Sequence, residues 1–369
     1  MKLTTRSVVM RHTTILFGND GFMFLASRLK EQRKQGYRTF LLADHHTETY
    51  CLPLLTGLVE NLRPDAVLRI RPGEESKTIE TASRLWQELA ANGADRHSLL
   101  VCLGGGVVTD LGGFTASCFK RGIRVIHVPT TLMAMADAAI GGKTAVNLGP
   151  VKNQVGTFCL PEAVIIHPLF LATLPSEHVA SGLAEVVKTA LVADGRSWNR
   201  IRAKEAKEWI TLSPEDPAWM QMVKHTAAVK NRIVRIDFEE KSLRMLLNFG
   251  HTFGHAFESL AMQKGTPVSH GEAVALGMVC ETWLSVQKFG LPIQAMQEIT
   301  AWLTAGYSGF SLQESDIGEI SRLILHDKKS AGGEIRFTGL SMPGQGRING
   351  RLKPEEIDSA VRFYMGRGA

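Results

Sequence analysis

Residues 98–129 read SLLVCLGGGVVTDLGGFTASCFKRGIRVIHVP. An apolar run, 98–103, stops at Gly104-Gly105-Gly106, and a stretch of helical character, 107–120, stops at Arg121-Gly122, where glycine suits a helix C-terminus. A second apolar run, 123–128, stops at Pro129. Strand, helix and strand follow one another, and both strands are apolar on both faces, which predicts a parallel sheet covered on each side. Working outward, 39–43 (TFLLA) and 66–70 are further short apolar runs. Between them and the glycines, 78–91 repeats Ile79, Ala82, Leu85, Trp86 and Leu89 at helical spacing. From about residue 175 the pattern changes. Segments 176–193, 213–235, 251–263, 271–289, 293–304, 316–326 and 354–364 all read as helix, and long strand signals vanish. The expected organisation is therefore an α/β domain over 1–175 and an α-helical domain over 176–369, parted at Leu174-Pro175, with the cleft between them as the expected site.

A chain of 369 residues suits about two domains at roughly 100–200 residues each. Hydrophobic residues at 44% and charged residues at 21% are globular values and exclude disorder. Apolar runs break well before the roughly 20 residues of a membrane span, and residues 1–14 hold no uninterrupted apolar core of a secretory signal, so a soluble, cytoplasmic protein is expected. The five cysteines, an odd number without a C-x-x-C pair, read as buried free thiols in a reducing compartment rather than disulfides or a catalytic thiol. Cys102, Cys118, Cys159 and Cys280 sit in apolar stretches and only Cys51 in a looser one. The net charge of +6 is scattered, and its densest cluster, 30–38, alternates with Glu31, Gln32, Gln35 and Tyr37. Composition thus gives nucleic-acid binding little support, whereas a small polyanion suits the excess.

Three constellations could carry chemistry. In 247–258, LNFGHTFGHAFE, His251 and His255 lie four apart on one helix face, and His270 opens the next helix. Single histidines are mostly hydrogen-bonded structural residues, but three within twenty positions point to a metal with an open coordination position. The spacing is not H-E-x-x-H, which excludes a zinc protease of that type. In 181–193, SGLAEVVKTALVA, Glu185 and Lys188 are the only charges; they read either as a surface i, i+3 pair or, given apolar neighbours, as a buried carboxylate needing a partner. Second, the glycines of 103–114 would let a backbone approach a pyrophosphate. They do not fit G-x-G-x-x-G, and Asp44, the natural ribose acid, precedes them rather than following by roughly 20 residues. Either this is no nucleotide site or it belongs to a sister fold. The loop 72–77, PGEESK, could reach the same ligand, or simply start a helix with Ser76 or Glu75 as cap. Third, Lys143, Lys152, Lys188, Lys230, Arg244, Lys328 and Lys329 sit beside small or apolar residues and, with Asn153 and Asn248, would suit a substrate carrying phosphate and carboxylate.

The runs GGGVVTDLGGFTASCFKRGIRVIHVPTTLMAMADAAIGGKTAVN, VKNQVGTF, SGLAEVVKTAL, RMLLNFGHTFGHAFE and SHGEAVALGM together resemble 3-dehydroquinate synthase, of the sugar phosphate cyclases, from about Asp44 to Lys329. The resemblance implies an N-terminal Rossmann-like NAD domain and a C-terminal all-α metal-binding domain. It also implies NAD, one divalent metal (zinc or cobalt), a sugar phosphate substrate, no nucleic acid or membrane partner, and a homodimer. The implied reaction converts 3-deoxy-D-arabino-heptulosonate 7-phosphate to 3-dehydroquinate and phosphate through transient oxidation, elimination, re-reduction and aldol closure. By motif, Glu185, His251 and His270 correspond to metal ligands. Asp44, Glu74, Lys77, Gly105, Gly106, Val107, Asp110, Thr130, Thr131, Lys143, Lys152 and Thr173 correspond to NAD contacts. His255, Lys188, Asp137, Lys143 and Asn153 correspond to the catalytic set, and Arg121, Lys152, Lys230, Arg244, Asn248 and Lys328 to substrate contacts, Arg121 reaching a neighbouring subunit. Ala138-Ala139 stand where serines are usual, Thr109 where glycine is frequent, Gly149-Pro150-Val151 changes a loop, and the segment from His255 to His270 is slightly long. Alternatives by the same resemblance are another cyclase (aminodehydroquinate or 2-deoxy-scyllo-inosose synthase) or a metal-dependent alcohol dehydrogenase of the glycerol dehydrogenase type. A metal-stabilised binding module without activity is the non-enzymatic alternative.

Overall fold

The computed structural model describes residues 13–149, 151–307, 309, 311–328 (backbone alone at 326–328) and 335–366. These fall into two compact units, 13–130 with 141–167, and 131–140 with the described residues from 168 onward. The divide at His167 precedes the Leu174-Pro175 signal, and the short excursion at 131–140 belongs with the helices.

The first unit runs β1 (Thr14–Phe17), α1 (Asn19–Lys34), β2 (Thr39–Asp44), α2 (His45–Tyr50), α3 (Leu52–Leu58), β3 (Ala66–Ile70), α4 (Ile79–Ala91), β4 (Leu99–Gly104), α5 (Gly106–Cys118), β5 (Arg124–Pro129), β6 (Lys143–Leu148), β7 (Val151–Phe158) and β8 (Ala163–Ile166). Six strands form one parallel sheet in the order β1-β8-β5-β4-β2-β3. Alternation turns Phe40, Leu42, Leu100 and Cys102 toward Leu85 and Leu89 of α4 and Leu111 and Phe114 of α5. Leu41, Ala43, Val101 and Leu103, on the opposite face, are also fully buried, which is why these strands read as unbroken apolar runs. A Cβ at Gly112 would collide with Cys102, so that glycine lets α5 lie directly on β4. Thr78, not Ser76 or Glu75, caps α4, accepting the Thr81 N–H; residues Glu74–Ser76 form a separate 3₁₀ turn. Strands β6 and β7 pair antiparallel as a separate two-stranded ribbon.

The second unit holds a π-helical turn (Ala134–Ala138), then α6 (Ser176–Ala193), α7 (Gly195–Ile201), α8 (Ala206–Ile210), α9 (Pro217–Ile236), α10 (His251–Gln263), α11 (His270–Phe289), α12 (Ile293–Gly306) and α13 (Ile317–Lys328), with α14 (Pro354–Met365) last. The helical expectation gains one addition, an antiparallel hairpin of β9 (Ile335–Met342) and β10 (Gln345–Leu352). Its strands give a weak signal because Phe337–Leu340 are buried without alternation and β10 is glycine-rich. Glycines again set the spacing: a Cβ at Gly182 of α6 would collide with Met133, one at Gly271 with Ser181, and one at Gly277 with Gly250.

All five cysteines are free. Cys51, Cys102 and Cys280 are buried as expected, whereas Cys159 is half-buried and Cys118 is exposed because it ends α5 beyond its buried stretch from Leu111 to Ala116. Among the described residues, no helix is long and apolar enough to cross a membrane.

Candidate active site

Glu185 lies midway along α6 and is 2% exposed. One turn earlier, the Ser181 hydroxyl accepts the Gly271 N–H at 3.0 Å and pins the start of α11 against α6. His270, the first residue of α11, thereby faces Glu185, and His251, the first residue of α10, joins them. Glu185 Oε1 stands 3.7 Å from His251 Nε2 and 3.6 Å from His270 Nε2, and the ligand atoms of all three lie within 4.8 Å of one another. Lys188 Nζ approaches Glu185 Oε2 at 2.5 Å as an ion pair, yet neither carboxylate oxygen has a directed hydrogen bond among the described residues. Oε2 has the Lys188 charge beside it, but Oε1 is a buried acceptor without a hydrogen bond, which is rare and asks for a partner. Tetrahedral zinc with ligands at about 2.0–2.2 Å separates neighbouring donors by roughly 3.4 Å, so this set fits a dication.

The far side of each ring is also fixed. His251 Nδ1 lies 3.2 Å from the Phe249 carbonyl, and His270 Nδ1 lies 3.1 Å from Glu258 Oε2, which leaves both Nε2 atoms toward Glu185. Burial, aided by the Lys188 charge and the neighbouring imidazoles, pushes His251 well below the usual histidine pKa, so it is neutral and able to ligate. Burial pulls His270 down too, but the hydrogen bond that its Nδ1 donates to Glu258, together with the nearby carboxylates, outweighs it, and its pKa is raised. His255 is not part of the set whose ligand atoms converge, although its ring centroid lies 5.4 Å from that of His251 and 6.1 Å from that of His270.

A cationic cluster adjoins the trio within the same unit. The π-helical turn presents Asp137, which Lys188 contacts through Oδ2 at 2.9 Å. Lys230 of α9 pairs with Asp137 Oδ1 and donates to its main-chain oxygen at 2.7 Å. Lys188 and Lys230 are both buried, so two desolvated ammonium groups share two carboxylates. Arg244 and Asn248 share the 3₁₀ segment Leu243–Asn248 that leads into α10. Arg244 is buried, donates to the Phe238 carbonyl at 2.7 Å, and is pushed down to about 10 by desolvation, still a cation at neutral pH. Asn248 donates to Glu240 Oε1 at 2.8 Å. The Lys328 side chain and all of Lys329 lie outside the described residues.

In the first unit the expected cofactor residues gather at the C-terminal ends of the strands. Chain order runs from β2 out to β3 on one side and from β4 to β5 on the other, so the switch of direction lies between β2 and β4, where open α/β sheets bind ligands. Asp44 ends β2, and Gly104 and Gly105 lead from β4 into α5 with Gly106 and Val107 in its first turn. The acid precedes the glycines in sequence yet neighbours them in space, because β2 and β4 pair as Leu42 with Cys102 and Ala43 with Leu103. Asp44 Oδ1 caps α2 by accepting the Thr47 N–H at 2.8 Å. Buried Lys77 donates to Asp110 Oδ2 at 2.6 Å and to Asn153 Oδ1 at 2.5 Å, so Asn153 joins this cluster. Glu74 accepts from Asn147 at 2.9 Å. Thr130 is buried, its N–H on the Gly104 carbonyl, while Thr131 caps the turn before Ala134 and Thr173 ends a 3₁₀ segment, both in the second unit. Lys143 and Lys152 are exposed on β6 and β7, and Arg121 is exposed in left-handed backbone (φ 66°) after α5. Thr109, in place of a glycine, turns its hydroxyl to the Gly105 carbonyl and is absorbed by α5.

Fold and site define a class: a dinucleotide-binding type of parallel-sheet unit in one chain with a helical unit that presents two histidines and a carboxylate for a metal. Models of the 3-dehydroquinate synthase N-terminal and C-terminal regions match residues 67–181 and 182–330. A 3-dehydroquinate synthase of Parabacteroides distasonis is 38% identical over 89% of this chain and 91% of its own length. The chain belongs to the 3-dehydroquinate synthase family. Among solved structures, 2-deoxy-scyllo-inosose synthase complexed with carbaglucose-6-phosphate, NAD+ and Co2+ is 25% identical with a TM-score of 0.77, covering 94% of this chain and 96% of that one. The 2-epi-5-epi-valiolone synthase of Streptomyces hygroscopicus, with NAD+ and Zn2+ bound, shares the fold at 22% identity and a TM-score of 0.82 over the whole of both chains.

Sequence reasoning overlooked Glu258 and Ser181. Glu258 falls three residues after His255 and reads as an ordinary acid late in a helix, since its partner His270 lies across a turn. Ser181 looks like a neutral residue in an apolar helix; only its contact with the Gly271 N–H reveals its role.

Proposed function

We propose that this enzyme converts 3-deoxy-D-arabino-heptulosonate 7-phosphate to 3-dehydroquinate with release of phosphate, as an NAD- and metal-dependent carbon–oxygen lyase. The observation that carries the metal dependence is the buried Glu185 oxygen without a hydrogen bond, facing two Nε2 atoms. When bound, the metal would polarise a substrate hydroxyl and NAD would take up and return a hydride. Glu185, His251 and His270 would hold the metal; Asp44 and the Gly104–Gly106 backbone would hold the dinucleotide, the N-terminus of α5 favouring its pyrophosphate.

The remaining roles fall to the chain's own cations. Arg244, buried and planar, suits a substrate carboxylate. Lys188 and Lys230, held by Asp137, suit the phosphate and its leaving charge, and desolvation strengthens that interaction. His255 would hold or pass a proton at its ring nitrogen without ligating. Five free cysteines suit a reducing, cytoplasmic setting. A homodimer is supported by exposed Leu148, Val151, Val155 and Phe158, all on the β6–β7 ribbon.

The test is product identification with the purified enzyme. Phosphate should form in equal amount to 3-dehydroquinate from catalytic NAD, with no lasting NADH. Net NADH accumulation would indicate a dehydrogenase instead, and turnover only of a substrate lacking the carboxylate would indicate another cyclase.

A further inference from the structure

Residues 273–287 of α11 read AVALGMVCETWLSVQ, and Glu281 is the one charge among them. It is fully buried. Its carboxylate accepts three backbone N–H groups at the start of α10. Oε2 accepts from Gly250 at 2.8 Å, and Oε1 accepts from Thr252 at 2.9 Å and, more weakly, from Phe253 at 3.4 Å.

Those amides are the ones a helix start leaves unmet. Helix α10 supplies no side-chain cap of its own, because its cap position is Gly250 in left-handed backbone (φ 82°). A Cβ at that position would press on Met278 and on the Val274 carbonyl, so the site admits no serine or aspartate. The cap is instead delivered from the neighbouring helix, and the negative charge sits at the positive end of the α10 dipole. His251 is the residue directly between the capped amides.

We propose that Glu281 is a positioning residue for the metal centre: by clamping the Gly250, Thr252 and Phe253 amides it locks the first turn of α10 to α11, and so holds His251 in ligating position before metal arrives. This rests on the Glu185–His251–His270 metal reading. Glu281→Gln keeps one acceptor but sets an NH₂ group against an N–H, so the first turn loosens while its shape is retained.

Calorimetric titration of zinc into the metal-stripped full-length protein tests it. Wild type should bind one zinc, and Glu281→Gln should bind it about tenfold or more weakly, the size expected for outer partners of metal ligands. Thr300→Val, which removes an equally buried hydrogen bond on α12, a helix that carries none of the three ligands, should lower stability without changing zinc affinity. Equal affinity in wild type and Glu281→Gln, or an equal loss in Thr300→Val, overturns the proposal. Wild type that binds no zinc overturns the metal reading itself, a distinct result. Should Glu281→Gln not fold, amide exchange in wild type decides. The Gly250, Thr252 and Phe253 amides should be protected to the same degree with and without zinc, and protection that appears only with zinc overturns the idea.

Discussion

His251 and His255 share one face of α10, yet only His251 joins Glu185 and His270. Spacing alone cannot separate them, because the choice is made by where α6 and α11 bring their own ligands. His251→Ala should weaken metal binding by at least about 100-fold and abolish turnover, whereas His255→Ala should keep the metal and lose only activity. Metal content after gel filtration, beside phosphate release, checks both. His127 of β5 offers a separate residue-scale effect. Burial pushes its pKa down to about 4, and its Nδ1 has no hydrogen bond among the described residues. An unfolded histidine takes its proton near 6.5. Between about 6.5 and 4 the unfolded chain therefore binds one proton more, so this contribution to stability is lost on acidification, at up to about 1.4 kcal/mol per pH unit. Urea midpoints across that range should fall less steeply for His127→Leu than for wild type.

At the scale of the element, glycines decide how closely the ligand-bearing helices approach. Gly182→Ala would drive a methyl group into Met133 and displace the turn that carries Asp137 from α6. A loss of about 1–3 kcal/mol is expected from such overpacking, with a raised KM from the displaced Lys188–Asp137 pair, measurable by denaturant titration and steady-state kinetics. Most element types are legible in the sequence here, because buried parallel strands are unbroken apolar runs and the long helices keep their period. The β9–β10 hairpin is not, since its buried segment does not alternate. Nor is the affiliation of 131–140, a turn whose partners lie on α6 and α9, far along the chain. Glu185 is legible as a lone acid in an apolar helix; Glu281 carries the same signal on α11, while Glu258 and Ser181 matter only through partners that local pattern does not reveal.

At the scale of the whole molecule, the β6–β7 ribbon carries exposed Leu148, Val151, Val155 and Phe158 on a protein with a net charge of +6. If this is the dimer face, Val151→Lys combined with Val155→Lys should shift the protein to monomer in sedimentation velocity while leaving its zinc affinity intact. The central claim is that Glu185, His251 and His270 together hold the one metal ion on which turnover depends. Anomalous diffraction at the zinc or cobalt edge, from crystals of the active protein, tests it most directly. One strong peak within about 2.0–2.2 Å of a Glu185 oxygen and of both Nε2 atoms is predicted; an active protein whose only metal peak lies elsewhere would contradict the account.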